Sequence, residues 1–234
     1  MPTAAELEIV LLSLKVALWA LAASLPAAIA VAFVLARKDF PGKTLFDALV
    51  HLPLVLPPVV VGYALLLAFG TQGPIGRILE PFGIVLMFRW TGAALAAAIM
   101  GFPLLVRAIR LGMEAVDPRL EVAARTLGAR RSRVFFTITL PLALPGIVTG
   151  SLLAFARALG EFGATITFVS NIPGETRTLP LAIYTYTQVP AGDAAALRLS
   201  LIAVALSLAA LFVSEVMVRR ATRRIMGDDA DGRH

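Results

Sequence analysis

An all-α polytopic membrane protein with five transmembrane helices, or alternatively six, is the fold class this sequence predicts. Two observations lead there. Of the 234 residues 59% are hydrophobic and only 15% charged, against about 45–50% and about 25% in soluble globular domains. The basic residues are also segregated into a few short stretches between long apolar ones. A mean hydropathy of +0.85 excludes disorder, which needs polar and charged composition. Each crossing takes about 20 apolar residues, so the chain reads as a single transmembrane domain over residues 1–234. It leaves no room for an added soluble catalytic or nucleotide-binding domain.

The first apolar stretch, Ile9–Ala36, is too long for a signal-peptide core and predicts a retained helix. Lys15 near its start is expected to anchor at the interface, and Pro26 to kink it. The stretch ends at Arg37, Lys38 and Lys43. The second span, Leu45–Phe69, contains Pro53, Pro57, Pro58 and Gly62. Such breakers are tolerated where neighbouring protein satisfies the freed backbone, so this span is expected to be irregular and to face other helices. His51 is expected in a loop at its cytoplasmic end. A Gly/Pro-rich loop follows, and Trp90 marks the interface at the start of the third span, Trp90–Leu111.

The fourth span is predicted from Pro141 to Phe168 and the fifth from Leu197 to Val218. Between them lies a polar stretch with Asn171, Glu175 and Arg177. Reading Ala164–Val189 as a sixth span would bury those polar groups at a cost. Of the 21 Lys and Arg, 15 fall in segments 37–43, 107–133 and 219–234, and 4 in the segments on the opposite side. The positive-inside rule then predicts an extracytoplasmic N-terminus and a cytoplasmic C-terminus. The tail arginines Arg219, Arg220, Arg223 and Arg224 read as stop-transfer charges against anionic lipid. The net charge of +6 belongs to the same asymmetry, and no nucleic-acid partner is expected.

Several chemistries are excluded. The chain has no cysteine, and its only histidines are His51 and His234, so neither thiol chemistry nor a His-rich metal site is expected. No G-x-x-x-x-G-K-[ST] phosphate loop is present. Gly42-Lys43-Thr44 has the final residues, but Arg37 stands where the first glycine would. A membrane-embedded enzyme would need clustered acids, bases or ligands at membrane depth, and only Arg157 and Glu161 lie there. A secondary transporter built on inverted repeats should show two similar halves, and none is visible.

Residues 113–140 form the stretch that carries function. Asp117-Pro118 is a helix start. Leu120, Ala123, Ala124 and Leu127 recur at helical spacing, and Gly128 ends the helix as glycine does at a C-terminal cap. A second basic, partly apolar stretch with Val134, Phe135 and Phe136 returns to the membrane at Leu140-Pro141. The residues alone give a short helix, a sharp turn and a second helix on the cytoplasmic face, and allow an amphipathic surface helix that touches lipid headgroups.

Ala123-Ala124, then Gly128 after three residues, then Ile138-x-Leu140-Pro141 after nine more, resemble the E-A-A-x(3)-G-x(9)-I-x-L-P loop of ABC importer permeases. The pattern's glutamate position falls on Val122, with Glu121 one residue earlier. The resemblance implies the ABC importer permease fold in a bacterial inner membrane. It implies that this loop is a coupling helix for a separate ATP-binding subunit, with Glu121, Ala123, Ala124, Gly128, Ile138, Leu140 and Pro141 as coupling residues. The chain is then a non-catalytic subunit with no cofactor of its own, ATP being bound by the partner. The partners implied are a cytoplasmic ATP-binding dimer, an extracytoplasmic oxyanion-binding protein, a second copy of this chain and membrane lipid.

Two further stretches narrow the resemblance to oxyanion permeases. Phe155–Thr165, with its Glu161-Phe162-Gly163-Ala164-Thr165, and Leu54–Tyr63 are most similar to permeases of the molybdate type. Molybdate or tungstate is thereby implied as substrate, with sulfate or thiosulfate as the alternative. Arg157, Glu161 and Thr165 lie at i, i+4 and i+8 and would share one stripe of a continuous helix. They are the candidate translocation pathway. Arg157 and Glu161 alternatively neutralise one another as a structural ion pair.

Overall fold

The computed structural model describes residues 3–231, the side chains of Ser214 and of 219–231 excepted. The expectations for the tail arginines therefore lie outside the described residues. The architecture is helical. α1 (Ala4–Arg37), α5 (Trp90–Glu114) and α12 (Asp193–Asp231) are long helices. Each contains a segment long and apolar enough to cross a membrane on its own.

α2 (Lys43–Val55) and α3 (Pro58–Phe69) meet at 111°, and the run Arg131–Leu142 meets α9 (Leu144–Leu159) at 66°. Counting each bent pair as one crossing gives up to five. The shorter pieces are α4 (Pro74–Leu79), α6 (Pro118–Thr126), α7 (Arg131–Val134), α8 (Leu140–Leu142), α10 (Gly163–Val169) and α11 (Leu179–Thr187).

α1 runs through Pro26 as one helix. Its 34 residues make it about 50 Å long, against about 30 Å for the hydrocarbon layer. It is therefore longer than the apolar slab it would cross. One face of α1 is a stripe of small residues: Ser13, Ala17, Ala20, Ser24, Ala28 and Ala32 are all buried. That stripe lies along α5, the central helix, which also packs on α9 and α10.

The contact of α5 with α9 is closer still. A Cβ on Gly146 would come within 2.8 Å of the Gly112 Cα, and one on Gly101 within 3.2 Å of the Ala154 carbonyl oxygen. Small residues at such a crossing let backbones approach where lipid offers no hydrophobic drive to assemble helices. Trp90 opens α5 as expected, and the Lys15 ammonium stands 3.7 Å from the centre of its ring, a cation–π contact.

Two expectations need correction, the placing of His51 and the course of the fourth span. The irregularity expected of the second span is present, as two helices that meet at 111°. Pro58 forces its predecessor out of the helical region, and Pro57 sits at φ −55°, ψ 131°. α2 has no buried residue, and Leu49, Leu52 and Val55 are exposed, but Phe46 and Val50 pack toward α5 and Asp47 pairs with Arg110 on it, so both halves of the span face other helices. His51 lies within α2, its Nδ1 2.9 Å from the Asp47 carbonyl oxygen, not in a loop.

The fourth span does not run unbroken from Pro141 to Phe168. α9 ends at Leu159 and α10 begins at Gly163. No helix covers Ala164–Val189, the sixth-span reading. α10 and α11 have 7 and 9 residues, far short of a crossing. The polar residues between them are engaged instead: Arg177 Nε donates to Asn171 Oδ1 at 2.9 Å, and Glu175 accepts from the Trp90 N–H.

Candidate functional site

The loop that holds α6 is built by local chemistry. Asp117 accepts from the Arg119 N–H at 2.9 Å and caps α6, with Pro118 in the first turn. Gly128 sits at φ +87° just past the helix, and a Cβ there would meet nothing within 4 Å. Backbone angle alone calls for glycine. α6 has no buried residue, and Leu120, Val122 and Leu127 are exposed, Leu127 at 89%. Ala123 is exposed and Ala124 half-buried. At about 100° per residue Leu120, Ala123 and Leu127 fall on one side of α6 and Val122 on the other, and no side chain of this chain buries them.

The return strand of the loop is a run of α7, a π-helical segment over Phe135–Thr139, and α8. Ile138 and Leu140 are half-buried and Pro141 exposed. π-segments inside α-helices are frequent at functional sites. This one places Thr139 inward, 1% exposed, immediately before the chain re-enters the bundle.

Glu121 and Val122 point apart because consecutive helical residues are about 100° apart. Val122 is half exposed, while the Glu121 carboxylate turns into the chain. Its Oε1 accepts from Arg37 Nε at 3.0 Å and from Thr139 Oγ1 at 2.9 Å. Arg37 Nη2 lies 2.8 Å from the same oxygen and also donates to the Val116 carbonyl oxygen at 3.2 Å. The side chains of Arg37 and Glu121 are 15% and 16% exposed. Beside them a cavity of about 420 Å³ is lined by Phe33, Lys38, Arg125 and Phe135 among others. In the sequence Arg37 marks only the end of the first apolar stretch, and Thr139 is an unspecified position of the loop pattern. No local signal could have joined residues so far apart in sequence.

The second candidate region is the break after α9. Glu161 lies in that break, 2% exposed. Its Oε1 accepts from the Ala164 N–H at 2.8 Å, and Arg157 Nη1 stands 2.6 Å from Oε2. The expected pairing of Arg157 with Glu161 is present. The continuous stripe through Thr165 is not, because residues 160–162 are not helical. Thr165 is buried on α10.

The two broken spans meet here. A Cβ on Gly163 would lie 2.8 Å from the Pro58 Cβ, and one on Gly62 only 2.6 Å from the Ala164 carbonyl oxygen. The proline break of one span is thus packed on the glycine break of the other. In the sequence Gly62 reads only as a breaker, whereas its close partner lies on a different helix.

Residues 24–225 match the family described as binding-protein-dependent transport system inner membrane component. The chain is 61% identical over 220 residues to the molybdenum transport system permease protein ModB of Escherichia coli K12, covering 94% of this chain and 96% of that one. It is 39% identical over 197 residues to the sulfate transport system permease protein CysT of the same organism, covering 84% and 71%. Among solved structures, it resembles a bacterial alginate ABC transporter in complex with an alginate pentasaccharide-bound periplasmic protein. That match has a TM-score of 0.74 and 18% identity, and covers 93% of this chain and 79% of the other. At that identity the likeness concerns the fold.

Proposed function

The chain belongs to the family of binding-protein-dependent transport system inner membrane components, and from that premise we propose that it is the permease subunit of an importer for molybdate. The related tungstate dianion would use the same route. The observation that carries the substrate is the greater likeness, along nearly the whole chain, to molybdenum permeases than to sulfate permeases. The chain performs no chemistry itself. ATP is bound and hydrolysed by a separate cytoplasmic subunit, which acts as a dimer. An extracytoplasmic oxyanion-binding protein delivers the cargo. Two copies of this chain enclose the path, since one is too small to surround it.

In this reading the N-terminus is extracytoplasmic and the C-terminus and the docking loop are cytoplasmic. The exposed apolar face of α6, with the small residues Ala123 and Ala124, seats in the ATP-binding subunit. Gly128 sets the angle at which the loop leaves that seat. Ile138, Leu140 and Pro141 bring the loop back to the bundle. The pathway runs past the packed breaks of the second and fourth spans. Glu161 tempers Arg157 there, because an unopposed cation at membrane depth would hold a dianion too tightly for passage. Thr165 lies one turn beyond.

Uptake of labelled molybdate against labelled sulfate, in cells carrying the full system, tests the proposal. Molybdate uptake that requires the ATP-binding subunit and resists excess sulfate is the expected result. Equal uptake of sulfate would overturn the substrate, and uptake without the ATP-binding subunit would make the chain an autonomous channel or secondary transporter.

A further inference from the structure

We propose that Arg37, Glu121 and Thr139 form a latch that ties the docking helix to two separate parts of the membrane bundle. The proposal rests on the docking-loop reading above and says how movement leaves the loop. A helix seated on another protein can pass on motion only through bonds that survive the movement. α6 is held to the rest of its chain by few contacts, because none of its residues is buried. The Glu121 carboxylate is its firmest link. It takes Arg37 from the end of α1 and Thr139 from the π-segment that leads into α9, all on one oxygen at 2.8–3.0 Å.

Arg37 doubles the link. Its second bond, to the Val116 carbonyl oxygen, holds the turn at which the chain enters α6. The guanidinium therefore grips the docking helix at its entry and at its first turn. Charge-assisted bonds of this kind are roughly twice as strong as neutral ones, and their partial withdrawal from water strengthens them further. α1 is rigid and long, and its small-residue stripe lies along the central helix α5. A pull on Glu121 is thus delivered to α1 and α5 through Arg37, and to α9 through Thr139. Glu121 faces inward while Val122 faces out, so these three are positioning residues within the permease, and the apolar outer face makes the contact with the partner.

The test uses the whole transporter in liposomes, with the ATP-binding subunit and the binding protein, and reads ATP hydrolysed per molybdate imported. Membrane content and assembly are measured for every variant. Arg37→Gln, Glu121→Gln and the milder Thr139→Val should each raise the ratio at least about fivefold, the low end of typical coupling between sites. The exchange Arg37→Glu with Glu121→Arg should recover most of the loss seen in Arg37→Glu and in Glu121→Arg alone, which tests the pairing, while the ratio read at equal membrane content separates lost coupling from a folding defect. Gly128→Val serves as the control for the docking loop. Single variants at the wild-type ratio while Gly128→Val uncouples would overturn the latch and leave the docking loop standing. An exchange variant no better than its single parents would overturn the pairing. A wild-type ratio in every variant, Gly128→Val included, would remove the docking reading and the latch with it.

Discussion

Gly128 is the residue at which the proposed docking role can be tested through one atom. Its φ of +87° lies in the left-handed region, and a Cβ would meet nothing within 4 Å. Substitution therefore strains the backbone and clashes with nothing in the chain. An alanine at such an angle costs about 1–2 kcal/mol. A β-branched valine costs more, because φ > 0 is a genuine outlier for it. Asparagine tolerates the region best after glycine, through local hydrogen bonds of its side chain. A cost of 1–2 kcal/mol shifts the population of the docking geometry by roughly 5- to 30-fold.

The assay is reconstitution of the permease at fixed amount, titrated with purified ATP-binding subunit. The concentration that gives half-maximal molybdate uptake is read. The expected order is Gly128→Asn closest to wild type, Gly128→Ala raised about 5- to 30-fold, and Gly128→Val beyond it. Insertion in the membrane should be normal for all three. If Asn were as damaging as Val, the space beside the loop and not its φ would be limiting. If Val behaved as wild type, the loop would not need its left-handed exit, and the reasoning would fail.

Other expectations follow from named contacts. Glu161→Gln keeps an acceptor for the Ala164 N–H but removes the charge that opposes Arg157. Losing a charge-assisted bond of about 1.5–3 kcal/mol should lower molybdate uptake on the order of tenfold, and unchanged uptake and basal ATPase would leave the pair purely structural. Gly146→Val places a side chain where Gly112 already lies within 2.8 Å. Overpacking of about 1–3 kcal/mol should lower the unfolding temperature in detergent. Ser13 Oγ accepts the buried Leu179 N–H at 2.7 Å; Ser13→Ala should cost about 1–3 kcal/mol, read in the same melt. For topology, Gln72→Cys should react with an impermeant thiol reagent from outside and Arg133→Cys from inside, in a chain that has no cysteine of its own. The reverse pattern would invert the orientation.

Much of this protein was legible along the chain because membrane solvation is a local demand. A stretch such as Ile9–Ala36 needs no distant partner to be excluded from water, and α1 and α5 formed close to where hydropathy put them. The geometry of the α6 loop was legible for the same reason. Asp117-Pro118 and Gly128 act through the backbone of their own neighbours, so cap and left-handed exit fall where the spacing indicated.

Tertiary structure alone decided what these elements do to one another. Arg37 and Glu121 are 84 residues apart, and Ser13 and the Leu179 amide 166. No propensity or period encodes such a pairing; it exists only once helices have packed. The breaks at Pro57-Pro58 and at 160–162 show the boundary between the two kinds of information. Prolines announced the first, and the second was hidden in an apolar run. A buried carboxylate that caps α10, and glycines that let Pro58 and Ala164 come close, made a broken helix stable where composition had favoured a straight one.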